Sequence, residues 1–120
     1  MTTEEALKYI RTEYDRLDKI CNVDTSKIDI SLSGRMTRKL GMFIIEKKLF
    51  REELSIRISS RIIDDENLFM DVIRHEYAHA IVHIRDPRHR HLHDKVWKNA
   101  CREVGCIPRA TRRIEQIDNN

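Results

Sequence analysis

No stretch of these 120 residues is long and apolar enough to span a bilayer, and Met1 to Ile10 lacks a basic segment followed by an apolar one. Those absences argue against a membrane protein and a secreted one, so a cytoplasmic location is the expectation. Cysteine is scarce and poorly placed for its structural uses. Cys21, Cys101 and Cys106 are odd in number and show no CxxC spacing, so neither a disulfide framework nor a zinc ribbon is indicated, and buried free thiols are expected. Aromatics make up only 6% of the chain, yet the 40% apolar and 36% charged fractions are those of a globular protein. There is no internal repeat, low-complexity segment or linker. A chain of this length buries roughly two thirds of its unfolded surface, and one domain over residues 1–120 is expected.

Charge is plentiful and unevenly spread. The net charge is +3, but residues 1–33 carry five basic and seven acidic side chains, whereas Arg85 to Arg113 carry nine basic against Asp86, Asp94 and Glu103. The basic segment is either a surface for an anionic partner such as DNA or the solvated face of helices.

Apolar spacing sets out the elements. Ala6, Leu7, Ile10, Tyr14, Leu17 and Ile20 recur at helical period, with Glu4 and Glu5 in the first turn, where the macrodipole favours acids. Three alternating runs follow, at Ile28 to Leu32, Leu40 to Ile44 and Leu54 to Ile58, and read as strands. Their connections, SGRMTRK and KKLFREE, suit hairpins without specifying a tight turn, so antiparallel neighbours are expected. Phe43 and Ile45 break the polar face of the second run, which predicts a strand covered on both sides. Asp64 or Asp65 caps a helix that keeps its period from Leu68 to Ile84 and stops at Asp86 and Pro87. Val96, Trp97, Ala100, Cys101 and Val104 mark a last amphipathic helix, ended near Gly105 and Pro108, and RATRRIEQIDNN reads as a final turn and frayed end.

All six histidines lie between His75 and His93. His75, Glu76 and His79 form HExxH. On a helix, imidazoles four residues apart project from one face on adjacent turns and can reach one metal ion at about 2.0–2.1 Å. Glu76 falls beside them, where a carboxylate can act as general base on a water. A catalytic zinc needs a third protein ligand and one open position. His83 lies two turns from His75, about 12 Å along the axis, too far to share an ion with it. His89 and His91, in the basic loop, and Glu103 compete for the role. His93 is the strongest candidate, because it lies on the apolar stripe of the last helix, in its first turn, and that stripe must pack on something.

At these residues the sequence resembles the SprT-like zinc metallopeptidase family, of the SprT/Spartan type. The family pattern of HExxH, a variable connection and a histidine opening an HGxxW-type helix is matched by RHEYAHA and HDKVWK. TRKLGMF and LSIRISSRIIDDENLFMDVI are similar to its LG-containing strand, its I-x-I-S strand and the acidic entry into the zinc helix. The likeness runs over about residues 26–106, the zinc core. It implies an α+β fold of minimal zincin type: an N-terminal helix, a small three-stranded antiparallel or mixed sheet, the HExxH helix, and a following helix carrying the third ligand. It also implies one catalytic Zn2+ held by His75, His79 and His93, with Glu76 as general base. Asp94 and Lys95 stand where glycine and proline often follow the third histidine, and no cysteine-rich zinc ribbon follows, so DNA targeting through that module is not carried over.

The resulting expectation is a zinc metallopeptidase acting on protein or peptide substrates, including DNA-associated or DNA-crosslinked proteins. Arg85 to Arg113 would meet DNA, and Arg88, His89, Arg90 and His91 are candidate substrate or DNA contacts. A DNA-associated role would place the chain at the nucleoid or in the nucleus. No membrane partner is expected, and the sequence sets no oligomeric state. Tyr77, His89, His91 and several arginines compete as oxyanion stabilisers. The alternative is a non-catalytic nucleic-acid-binding or adaptor module in which zinc joins two helices and His89, His91 or Cys101 closes the site as fourth ligand.

Overall fold

A computed structural model describes residues 1–109. It contains helix α1 (Thr3–Cys21), strands β1 (Asp29–Ser33), β2 (Gly41–Lys47) and β3 (Glu52–Ser59), a 3-10 turn (Ser60–Ile62), and helices α2 (Glu66–Arg85) and α3 (Lys95–Val104). This is the α+β arrangement expected, with a mixed sheet. The segment 110–120, which holds most of the expected final turn and end as well as Arg112 and Arg113, lies outside the described residues.

Helix α1 starts with a capping box: Glu5 N–H donates to Thr2 Oγ1 at 3.1 Å and Thr2 N–H to Glu5 Oε1 at 2.8 Å. Its inward face is Ala6, Ile10, Tyr14, Leu17 and Cys21, while Ile20, expected on that stripe, is exposed. Tyr14 donates its hydroxyl to Ile73 O at 2.5 Å, tying α1 to α2. Arg74 of α2 adds an ion pair to Glu13 of α1 at 2.8 Å. No helix among the described residues is long and apolar enough to cross a membrane.

The sheet order is β1-β3-β2, with β3 parallel to β1 and antiparallel to β2. The hairpin expected between the second and third runs forms, but the one expected between the first and second does not. Sequence-adjacent strands are the usual neighbours, and a seven-residue connection readily spans two inter-strand spacings of about 4.8 Å each. The central place goes to β3, whose Ile56 and Ile58 are fully buried. The helices cover one face, where Ile30 and Phe43 flank Ile56. Ser31 and Arg57 lie on the other.

Strand β2 is an edge strand, half-buried from Gly41 to Ile44 and exposed from Ile45 to Lys47. Its helix-facing residues are Gly41 and Phe43, and Ile45 on the same side runs out into solvent. The cysteine expectation is also corrected. Cys101 and Cys106 form a disulfide, and Cys21 is the free buried thiol among the described residues. The cause lies in the cap of α3: Gly105, at φ 85°, lets both its own N–H and that of Cys106 reach Cys101 O at 2.9 Å. That reversal leaves the two cysteine Cα atoms 5.0 Å apart, within bridging distance.

The strand order has a measurable consequence. Ile56→Ala, at the centre of the sheet, is expected to cost about 2–5 kcal/mol in denaturant unfolding, whereas Ile45→Ala, at the edge, should stay within about 0.5 kcal/mol. The opposite ranking would place β2 in the centre.

Candidate metal centre

Helix α2 is capped by Asp65, whose side chain accepts from Leu68 N–H, and runs unbroken to Arg85 before the Asp86–Pro87 pair. His75 and His79 therefore sit one turn apart on one face, with ring centroids 5.1 Å apart. His93 comes from the loop before α3 rather than from its first turn. Asp94 accepts from Trp97 N–H at 3.1 Å and so takes the N-cap position itself, leaving His93 just outside the helix with a left-handed backbone, φ 54°. The entry to this helix is also where the sequence departs from the family pattern that it resembles.

His93 nevertheless reaches the pair. Its Nε2 lies 3.1 Å from His75 Nε2 and 3.0 Å from His79 Nε2. Beneath the three rings lies Trp97 of α3, 1% exposed, stacked on His79 at 5.3 Å and in contact with the rings of His75 and His93 at 4.6 and 4.7 Å. Its indole N–H donates to His75 O at 3.4 Å. The stripe expected to pack on the HExxH helix does so through this residue, with Ala100, Cys101 and Val104 buried behind it.

The three histidines form a group whose ligand atoms all lie within 4.8 Å of one another and could hold a metal ion. A tetrahedral ion with metal–nitrogen bonds of about 2.0–2.1 Å keeps its nitrogens about 3.3–3.4 Å apart, close to the separations seen here. Protonation agrees. Burial, reinforced by the neighbouring His75 and His93, pushes His79 down to about 3, and burial also lowers His93. Both are then neutral near pH 7, the form in which imidazole binds a metal.

Glu76 is 6% exposed and pushed up to about 8 by desolvation, which the positive charge of Lys39 partly opposes. Its Oε2 stands 4.0 Å from His75 Nε2. Opposite it is the start of β2. A Cβ added at Gly41 would meet Glu76 Cγ and Oε2 at 2.9 Å and Val72 Cγ1 at 3.1 Å, so only glycine lets the strand pass this close to the helix. Between them opens a cleft of about 230 Å3, with Met42, Phe43, Val72 and Leu92 as apolar walls and the three histidines and Glu76 among its lining.

The other residues named from sequence lie elsewhere. His83 Nε2 pairs with Glu52 Oε1 at 2.8 Å, and Glu103 is bound by both terminal nitrogens of Arg85 at 2.8 and 2.9 Å. Cys101 is in the disulfide. Tyr77 donates to Asp18 Oδ1 at 2.8 Å on the α1 side of the helix, which removes it from the choice of oxyanion stabilisers. His89 Nε2 lies 3.0 Å from Asp94 Oδ2, His91 and the two loop arginines are exposed, and none of Arg88, His89, Arg90 and His91 lines the cleft. Sequence reasoning gave Gly41 no role, although a lone glycine opening a strand pattern signals close backbone approach. Arg38 and Lys39, which also line the cleft, had no sequence signal beyond their charge.

The model of the SprT-like family matches residues 4–116 of this chain. Neither the curated proteins nor the solved structures return a match.

If these three nitrogens are the protein's full ligand set, His79→Ala and His93→Ala should lose zinc by plasma mass spectrometry while His89→Ala and His91→Ala keep about one ion each. In parallel, zinc at about a hundred times its Kd should stabilise the wild type by about 2.7 kcal/mol and leave His93→Ala unchanged.

Proposed function

This chain belongs to the SprT-like family, and from that premise we propose that it is a zinc-dependent metallopeptidase with His75, His79 and His93 as ligands and Glu76 as general base. The observation that carries the reading is the position of Glu76, a buried carboxylate 4.0 Å from a ligand nitrogen and facing an open cleft. A purely structural ion has no use for such a group and is normally closed by a fourth protein ligand. Among the described residues the metal-competent group contains three histidines, and Cys101, one of the expected fourth ligands, is spent in a disulfide. The adaptor alternative is correspondingly weakened.

Zinc, when bound, would supply Lewis-acid polarisation of the peptide carbonyl and acidify the attacking water. Glu76 would take the proton of that water at Oε2 and pass it to the departing amine nitrogen. Beside a dication its carboxylate form is favoured over the neutral acid that burial alone would give. Gly41 would hold the strand against Glu76, fixing the direction from which the carboxylate meets the cleft. Strand β2 has β3 on one side only, so its outer edge offers backbone groups along which an extended peptide can lie. The histidines and Trp97 position one another, and the apolar walls limit the water in reach of the scissile bond.

The substrates in this reading include proteins associated with or crosslinked to DNA. Arg88, Arg90, Lys95, Lys98 and Arg109 are exposed and would meet the phosphates. Arg85, bound to Glu103 and to Cys21 O at 3.1 Å, is already used within the fold.

Casein cleavage with and without single-stranded DNA tests the reading. Glu76→Gln should retain zinc and lose about 10²–10⁴-fold in turnover. Gly41→Ala should retain zinc with a lower kcat, because the added methyl displaces Glu76 rather than the ligands. Full activity in Glu76→Gln would refute the assignment of the base.

A further inference from the structure

The lining of the cleft has an uneven charge. Besides Glu76, its charged members are Arg38 and Lys39, and no second acid is present. Both belong to the connection that leads into β2, and both are exposed. Several basic side chains elsewhere are held by acids, Lys48 by Glu46, Arg51 by Glu53, Arg74 by Glu13 and Arg85 by Glu103, but none of these lines the cleft. Arg38 and Lys39 have no ion pair of this kind among the described residues; the charge of Lys39 is felt by Glu76 across the cleft. Two exposed cations against the single acid Glu76 leave an excess of positive charge at a cleft with apolar walls, and that field acts on whatever enters.

We infer that Arg38 and Lys39 select substrates, and that the peptide taken by this cleft carries a carboxylate near its scissile bond. The inference rests on the peptidase reading above and names its substrate class. Lys39 lies two residues before Gly41, the residue packed on Glu76. At about 3.3 Å per extended residue, a peptide alongside β2 brings a carboxylate to these cations when it lies within about three residues of the reacting carbonyl. The Arg38 guanidinium presents a fork that suits a carboxylate, and Lys39 offers a point charge. The carboxylate comes either from a Glu or Asp side chain or from a peptide C-terminus.

The test uses fluorogenic peptides that differ only in flanking residues, Glu, Gln or Lys, all C-terminally amidated, plus the Gln peptide with a free carboxylate close to the cleaved bond. Wild type should prefer Glu over Gln by about tenfold in kcat/KM, with Lys poorest. The preference should shrink as ionic strength rises. In Arg38→Glu/Lys39→Glu the ratio of Glu to Lys peptides should invert, a readout that general damage to the cleft would not produce. A larger gain from the free carboxylate than from Glu identifies a C-terminus as the source. Equal rates for all four peptides, or a ratio unmoved by the charge reversal, overturn the inference and leave the peptidase reading standing. Fluorescence anisotropy with zinc-loaded Glu76→Gln separates the opposite case. Charge-selective binding without any wild-type turnover refutes hydrolysis but keeps carboxylate recognition, and unselective binding without turnover refutes both.

Discussion

The structure depends on one crowded arrangement, three imidazole nitrogens in a partly desolvated pocket, with those of His75 and His79 3.1 and 3.0 Å from that of His93. Neutral imidazoles with the proton on Nδ1 point their Nε2 lone pairs at one another, which is unfavourable unless a cation or a shared proton stands between them. The fold holds them there by packing. Trp97, inserted under all three rings and anchored on the α2 backbone, makes the burial of α3 and the assembly of the cluster one event. Part of the cost is visible in His93, a non-glycine residue with a left-handed backbone. Such a residue is uncommon and tends to mark a functional position.

A second constraint fixes the chemistry on one side of that cluster. Strand β2 approaches α2 so closely that a single methyl at position 41 would collide with Glu76. The buried carboxylate is thus held between helix and strand, where it lines the cleft. The hairpin of β2 with the buried centre strand β3 carries Gly41 to that position, and the packing of α1 on α2 through Tyr14 and Glu13 holds the helix from behind. Structural residues and site residues therefore share the same few contacts. Tyr77 illustrates the division of α2: next to Glu76 in sequence, it faces Asp18 and belongs to the core.

Much of this was legible in the sequence, for definable reasons. Helical period located α1 and α2, and the HExxH spacing put His75 and His79 on one face with Glu76 beside them. The apolar stripe of α3 singled out His93 because a stripe containing Trp97 has to be buried. Other features were not legible. Strand order was missed because alternation reports which face of a strand is apolar but not which strand is its neighbour, and β3 reveals its central place only through contacts on both sides. The Cys101–Cys106 bridge was missed because it depends on the chain reversal at Gly105, which a spacing of five residues does not announce. The register of His93 was missed by the length of a cap: Asp94 takes the N-cap, and its neighbour moves off the helix. Gly41 carried a weak signal that was passed over, and Arg38 and Lys39 acquire meaning only when the strand is laid against the helix.

The central claim is that three histidines bind the ion and leave one position for reacting groups. Zinc-edge X-ray absorption on the zinc-loaded protein tests it most directly. Three imidazole nitrogens and one additional light-atom ligand are expected at about 2.0–2.1 Å, with no sulfur at about 2.3 Å. A fourth imidazole, or a thiolate in the shell, would mean a closed structural site and would contradict it.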